Sequence, residues 1–520
     1  MMKWLVVLLL VFITNLTVSG DTVIWPLAWV LPIILVWGFR HYPRWYFFWL
    51  FVLVLGGSNV FIMQGMTPLP RAMEALFHLF ATLISLLPFW LDRQYHRRVR
   101  GGVGSLLLPT SMVLLEFANT MTSPWGSWGS IAYSQADNLV VVQFASVLGI
   151  YGISFLIYWS ASLVNYWVEQ GNFRKVRTSV LAYLAVMVLV VVYGLVQLQA
   201  PGKQQQVKVA AIVESNFEVM RSIYQDYSGK ELAIERTVSQ ADPVMAKLGP
   251  AMQDFFAYPA GEKYIATRSL LSRIEARAFD QGARAVEQGA EIVSWFEGQF
   301  YTFTDQEEAL IERGRQFARE QGVSLLMPMA VIAPDRIGKE PFFMKNQIVV
   351  IGSNGELVYT YHKAKPVPGA EPVEPGDGVI PVLLLAGARV SPVVCYDADF
   401  PDFMKQVGVN NTQILFIPSG DWFDIKQTHR NMARFRAIEN GVNVIRPANN
   451  GITSFIDSNG RIVEQIDYFE KPSHTLLAEV SLGSRITWYP KNSQLFIGLL
   501  ALLFVLLLLY YVIRLFRKTG

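Results

Sequence analysis

Residues 179–213 read SVLAYLAVMVLVVVYGLVQLQAPGKQQQVKVAAIV, running from Ser179 to Val213. The apolar run from Ser179 to Leu198 is about as long as a bilayer crossing requires, roughly 20 residues. A short polar stretch, Gly202 to Gln206, then gives way to Val207–Val213, a β-branched run of strand length. The chain therefore changes solvent here: a membrane part precedes this junction and a water-exposed part follows it.

Working back from Ser179, further apolar runs lie near Trp4–Val18, Val23–Phe39, Trp45–Met63, Ala72–Leu91, Ser105–Met121 and Leu139–Val168. One more, Leu495–Leu515, lies near the C-terminus. This spacing predicts about seven spans in residues 1–200, a soluble domain over 201–490, and a transmembrane helix with a basic tail in 491–520. The first run is also short enough for a signal peptide's apolar core, with Thr17, Ser19 and Gly20 after it. Of the 520 residues 52% are apolar and only 16% charged, below the roughly 25% of soluble domains. The spans account for that deficit.

Basic residues follow every second run: Arg40 and Arg44; Arg93, Arg97, Arg98 and Arg100; Arg174, Lys175 and Arg177; and Arg514, Arg517 and Lys518. The connections near Asp21, Gly65 and Asp137 are poor in Lys and Arg. Because short cytoplasmic loops collect positive charge, this alternation predicts cytoplasmic termini and a soluble domain outside the cytoplasm. Glu74 and Glu116 lie in or beside spans, as interface or cap residues or as part of a polar pathway. The net charge of +3 is too balanced for a nucleic-acid binder.

Between residues 207 and 480 short β-branched runs alternate with amphipathic helices, the pattern of an α/β domain. Strands are expected at Val207–Val213, Ile292–Trp295, Val323–Ile332, Gln347–Ile351, Leu357–Tyr361, Val390–Val394, Ile414–Ile417 and Val442–Ile445. Helices are expected at Asp305–Gln321, with Thr304 as N-cap, and at Gln427–Asn440, stopped by Gly441. Ser353-Asn354-Gly355 marks one hairpin, and Asp457–Gly460 another.

Glu297, Lys363 and Cys395 each sit just beyond a strand-like run, where α/β sheets place ligands. A cysteine nucleophile needs a base for its proton and positive charge for the oxyanion it creates. A glutamate and a lysine can supply these, but spacing alone does not select this trio. Cys395 is the single cysteine, which excludes an intramolecular disulfide or a Cys-rich metal site. It is either a buried apolar thiol or a reactive one. Lys365, Glu291 and Glu308 are rivals to Lys363 and Glu297. Six scattered histidines give no metal pattern, and His429 reads as a packing or capping residue. No cofactor is expected.

Three segments select the trio by resemblance. They are Tyr361-His362-Lys363-Ala364-Lys365-Pro366-Val367-Pro368-Gly369-Ala370-Glu371; Val394-Cys395-Tyr396-Asp397; and the region from Trp422-Phe423 through His429, Met432–Gly441 and Arg446–Gly451. With the arrangement of spans, they resemble the apolipoprotein N-acyltransferase family, the membrane branch of the nitrilase superfamily. The resemblance implies a multi-span helical bundle joined to a four-layer αββα nitrilase-like sandwich in the periplasm, anchored in the bacterial inner membrane. It implies Glu297 as general base, Lys363 as oxyanion stabiliser and Cys395 as acylated nucleophile. Glu371, Tyr396, Asp397, Trp422, Phe423 and Asn449 are implied as supporting or substrate-binding residues.

The implied reaction passes a fatty acyl chain from a phospholipid, through a Cys395 thioester, to the amino group of a diacylglyceryl-cysteine lipoprotein. A membrane-anchored amidase or hydrolase and a non-catalytic scaffold are the alternatives. Four departures from the family pattern bear on these: no proline precedes Glu297, Asp397 stands where Glu is usual, the stretch between Glu371 and Cys395 is short, and residues 216–267 form an extra segment. That segment is expected to replace the missing loop as a cover or lipid-entry element.

Overall fold

Apolar runs with no water to satisfy their backbone must form helices, and each of the eight does so. The computed structural model describes residues 2–16, 23–42, 45–96, 98–99, 102–199, 205–233, 243–483 and 485–516. Thr17, Ser19, Gly20, Asp21, Arg44, Arg97, Arg100, Arg517 and Lys518, used in the topology argument, lie outside them. The chain divides into two compact units, Met1–Gln64 with Pro70–Ala200 and Thr487–Gly520, and Gly65–Leu69 with Pro201–Ile486.

In the first unit, six described helices are long and apolar enough to cross a membrane: Trp45–Ile62, Arg71–His96, Gly102–Thr122, Ala145–Gln170, Phe173–Gln197 and Tyr489–Phe516. Two shorter apolar helices, Trp4–Asn15 and Leu27–His41, precede them. The run read as Leu139–Val168 is interrupted: Gly149 takes φ 65°, and the Tyr489 ring packs where a Cβ at Gly149 would lie. Arg40 joins Asp92 at 2.9 Å and Glu169 at 3.3 Å, tying three helices through one guanidinium. Glu74 is buried in the first turn of its helix, where free backbone N–H groups favour a carboxylate.

The second unit is built on two sheets. The first uses β1 (Gln206–Val213), β2 (Ile292–Trp295), β3 (Phe300–Phe303), β4 (Ser324–Ile332), β5 (Met344–Ile351) and β6 (Leu357–His362). The second uses β7 (Leu383–Leu385), β8 (Ala388–Pro392), β9 (Ile414–Phe416), β10 (Asn443–Arg446), β11 (Ile452–Ile456) and β12 (Ile462–Asp467), after which β13 (His474–Ser481) returns to the first. The orders are β13-β1-β2-β4-β5-β6, with β3 beside β4, and β12-β11-β10-β9-β8-β7. β1, β2 and β4 run parallel, as do β8, β9 and β10.

Alternation along β1 shows how the layers form. Val207, Val209 and Ala211 join Val390, Ile414 and Val444 in the core between the sheets. Ala210 and Ile212 point the other way, against Ala278 and Phe279 of a helix over Ile265–Glu287 and Leu310 of one over Glu307–Gln321. Side chains buried this fully contribute about 1.5–3 kcal/mol each relative to exposure. Helices Pro401–Val409 and Lys426–Asn440 cover the second sheet, and Met404, Val407, Ala433 and Ala437 join its core. The αββα order expected from the sequence is thus present.

The helices of this unit are, in chain order, α1 (Phe217–Ser228), α2 (Pro243–Ala257), α3 (Ile265–Glu287), α4 (Glu307–Gln321), α5 (Pro401–Val409) and α6 (Lys426–Asn440). One local reading differs: α4 is preceded by Gln306, without a side-chain cap, rather than by Thr304. α3, which belongs to the helix layer, begins at Ile265, about where the extra segment was expected to end.

Candidate active site

Three chain segments converge at one end of the sheets. β2 ends at Trp295, and a turn with Gly298 at φ 69° follows Glu297. β6 ends at His362, and Lys363 extends its ladder by donating its N–H to Asn346 O at 2.9 Å. β8 ends at Pro392, after which Val393 donates to Phe416 O and Cys395 to Pro418 O. Cys395 itself has φ 45°, a strained left-handed conformation for a non-glycine residue that the surrounding bonds hold in place.

Lys363 is fully buried and its Nζ donates to Glu297 Oε1 at 2.8 Å and to Glu371 Oε1 at 2.7 Å. Asn346 Nδ2 also donates to Glu297 Oε1, at 2.7 Å, while the Gly420 N–H donates to Oε2 at 2.7 Å. Glu371 Oε2 accepts from the Val367 N–H at 3.0 Å. The Cys395 thiol lies 3.9 Å from Gly420 O, so Glu297 and Cys395 meet opposite ends of one peptide residue.

Burial works against the Lys363 charge, but Glu297 and Glu371 outweigh it and hold the ammonium well above the usual lysine range. Burial raises Glu371 despite Lys363. Burial, then the Glu297 charge, push the Cys395 thiol up to about 11, with His429 and Lys363 pulling the other way. Near neutral pH the resting Cys395 side chain is therefore a thiol rather than a thiolate.

Of the remaining residues singled out in the sequence, Tyr396 stacks edge-on against Phe400. Asp397 accepts bonds from Tyr361, Val394 and Lys365. Asn449 is buried and donates to Asn216 Oδ1 at 3.1 Å. Trp422 donates its indole N–H to Gly65 O at 2.6 Å, and Phe423 packs on Phe469 under Lys426.

His429 has a larger place than its sequence position suggested. Its Nε2 lies 2.9 Å from Asp399 Oδ2 and its Nδ1 2.8 Å from Asp421 Oδ1, and Arg446 Nη2 reaches both Asp421 oxygens at 2.7 Å. A carboxylate at each ring nitrogen favours the doubly protonated imidazolium, which can donate to both. Burial opposes that charge, but the two aspartates raise it well above the ordinary histidine value. Donor atoms of Cys395, Asp421 and His429 lie within 4.8 Å of one another, a spacing that suits a metal ion. The His429 and Asp421 atoms are, however, already committed to each other, to Asp399 and to Arg446. No sequence spacing signals this cluster, because Asp399, Asp421, His429 and Arg446 come from four separate elements.

Known protein families match much of this chain. Residues 237–489 match the carbon-nitrogen hydrolase family model, and residues 15–163 match that of the apolipoprotein N-acyltransferase N-terminal domain. An apolipoprotein N-acyltransferase of Geobacter metallireducens is 25% identical over 499 residues, covering 91% of this chain and 88% of the relative. That of Rickettsia typhi is 22% identical over 423 residues, covering 80% and 77%. Among solved structures, an amidase from Nesterenkonia sp. AN1 is similar over 54% of this chain and 94% of its own, at 17% identity and a TM-score of 0.37.

Proposed function

We infer the function from one premise: the chain belongs to the apolipoprotein N-acyltransferase family. It is a multi-pass membrane protein and an acyltransferase with a nitrilase-like domain. We propose that it moves a fatty acyl chain from a phospholipid to the amino terminus of a diacylglyceryl-cysteine lipoprotein, with the domain on the periplasmic face of the inner membrane. The observation that carries the mechanism is the Lys363 ammonium held between Glu297 and Glu371, with Glu297 and Cys395 both on Gly420.

In the first half-reaction Glu297 takes the thiol proton as Cys395 attacks the ester carbonyl of the phospholipid. Lys363 stabilises the oxyanion, the C–O bond breaks, and the lysophospholipid leaves with the proton from Glu297. In the second, the lipoprotein amine attacks the thioester and gives a proton to Glu297, the C–S bond breaks, and the leaving sulfur takes that proton from Glu297 to restore the Cys395 thiol. Glu371 shares the Lys363 charge and fixes its position. Because both substrates are membrane-held, a helical bundle joined to the catalytic domain keeps enzyme and substrates in one phase.

Mass spectrometry of the membrane-purified protein tests this, with Cys395→Ala as control. The expected result is a fatty-acyl adduct on Cys395 that disappears on adding a diacylated lipopeptide and yields triacylated product. An adduct lost equally fast without peptide would instead identify a hydrolase, and the absence of any adduct a scaffold.

A further inference from the structure

Glu297 also forms part of the wall of a cavity of about 200 Å³. Val219 and Ile223 of α1 and Phe255 and Phe256 of α2 line it, as do Phe300 and Tyr301 of β3. We propose that this cavity holds the hydrocarbon tail of the acyl group in transit, with its carbonyl toward Glu297 and Cys395. The proposal rests on the acyl-transfer reading above and names the part of the chain that measures the acyl group.

Three observations carry it. The lining is mostly aliphatic and aromatic, its polar side chains are four amides and two carboxylates, and of the carboxylates Glu275 is already paired with Arg313. That leaves Glu297, the group that also meets Lys363, as the charge facing the occupant, so the apolar space and the reacting end adjoin. The volume exceeds the roughly 150 Å³ of a dry cavity that takes a benzene ring, so a run of methylene groups fits.

Second, the wall is braced. Phe255 packs edge-on against Tyr264 and Phe303, with centroids 4.9 and 5.8 Å away, and the Tyr264 hydroxyl donates to Asp254 at 2.6 Å. Asp226 of α1 accepts from the Thr267 N–H and hydroxyl of α3, fixing α1 over the sheet. A braced wall discriminates by length, whereas a soft one would adapt to every chain. Third, Asn449 lines the same cavity beside Glu297. Its Oδ1 is buried without a hydrogen-bond donor among the described residues, although its amide group is held by Asn216. An acceptor left open there suits the attacking amine, which must reach the same carbonyl carbon.

The test uses the full-length protein in vesicles containing phospholipids of several acyl lengths in equal amounts, with intact-protein mass spectrometry reading the chain on Cys395. Val219→Phe narrows the cavity and Phe256→Ala widens it, so either variant can decide if the other fails to fold. The expected result is a shift toward shorter chains in Val219→Phe and toward longer chains in Phe256→Ala, by roughly tenfold or more in relative occupancy per methylene group excluded or admitted. A wild-type adduct whose length distribution is the same in the folded variants would overturn the proposal and leave acyl transfer standing. No adduct in the wild type would overturn both.

Discussion

The Tyr361 hydroxyl donates to Asp397 Oδ2 at 2.7 Å, joining the strand that leads to Lys363 with the turn that carries Cys395. The same carboxylate accepts the Val394 N–H at 2.9 Å and the Lys365 N–H at 2.7 Å. One buried group thereby fixes Lys363 and Cys395 from two positions away on each segment. Burial pushes Asp397 up to about 6 against these donors, so each one counts toward keeping it ionised.

Tyr361→Phe leaves that carboxylate one donor short. The expected cost is about 1–3 kcal/mol of stability and a fall in acylation rate on the order of 10²-fold if Lys363 and Cys395 move about 1 Å apart. Thermal unfolding and the rate of adduct formation measure the two. A rate unchanged while stability falls would show that the bond is structural only.

The Cys395 thiol, held up at about 11, should react with iodoacetamide at a rate that rises about tenfold per pH unit through the neutral and mildly alkaline range. Glu297 raises this thiol and Lys363 lowers it, so the variants should move in opposite directions. At a fixed pH, Glu297→Gln should speed alkylation and Lys363→Met should slow it. Equal shifts of one sign would place neither charge next to the thiol.

The sequence made the layers legible because solvent imposes period and length: apolar runs became helices, and the alternation along Val207–Val213 separated two cores. It also marked Lys363 and Cys395, whose flanking residues carry a local pattern. It could not mark the Asp399–His429–Asp421–Arg446 cluster, since its members meet only through tertiary packing. Nor could it show the partners of Trp422 and Phe423, which are Gly65 and Phe469.

His429→Leu should destabilise the domain by about 3–5 kcal/mol near pH 6 by leaving two buried aspartates without the cation between them. A histidine raised well above 6.5 contributes stability that is full below its unfolded value and is lost as pH rises through the folded one. The gap between wild type and variant should therefore narrow at alkaline pH. Unfolding temperatures followed from mildly acidic to alkaline pH would show this, and a pH-independent gap would mean that His429 is neutral.

Deleting residues 217–260 while retaining α3 separates the roles of the extra segment. α3 must stay because Ala278, Phe279 and Ala285 pack on the first sheet. The deletion uncovers Phe303 and Ile332, which now share a cluster with Val219, Phe255 and Phe256, so some loss of stability is expected. The two sheets and the Glu297, Lys363 and Cys395 contacts do not depend on it, and far-ultraviolet circular dichroism should remain close to that of the intact protein. If α1 and α2 hold the acyl tail, acylation of Cys395 should fall at least about tenfold, and what remains should no longer discriminate chain length. Acylation at the wild-type rate, with wild-type length preference, would assign both helices a role unrelated to the substrate.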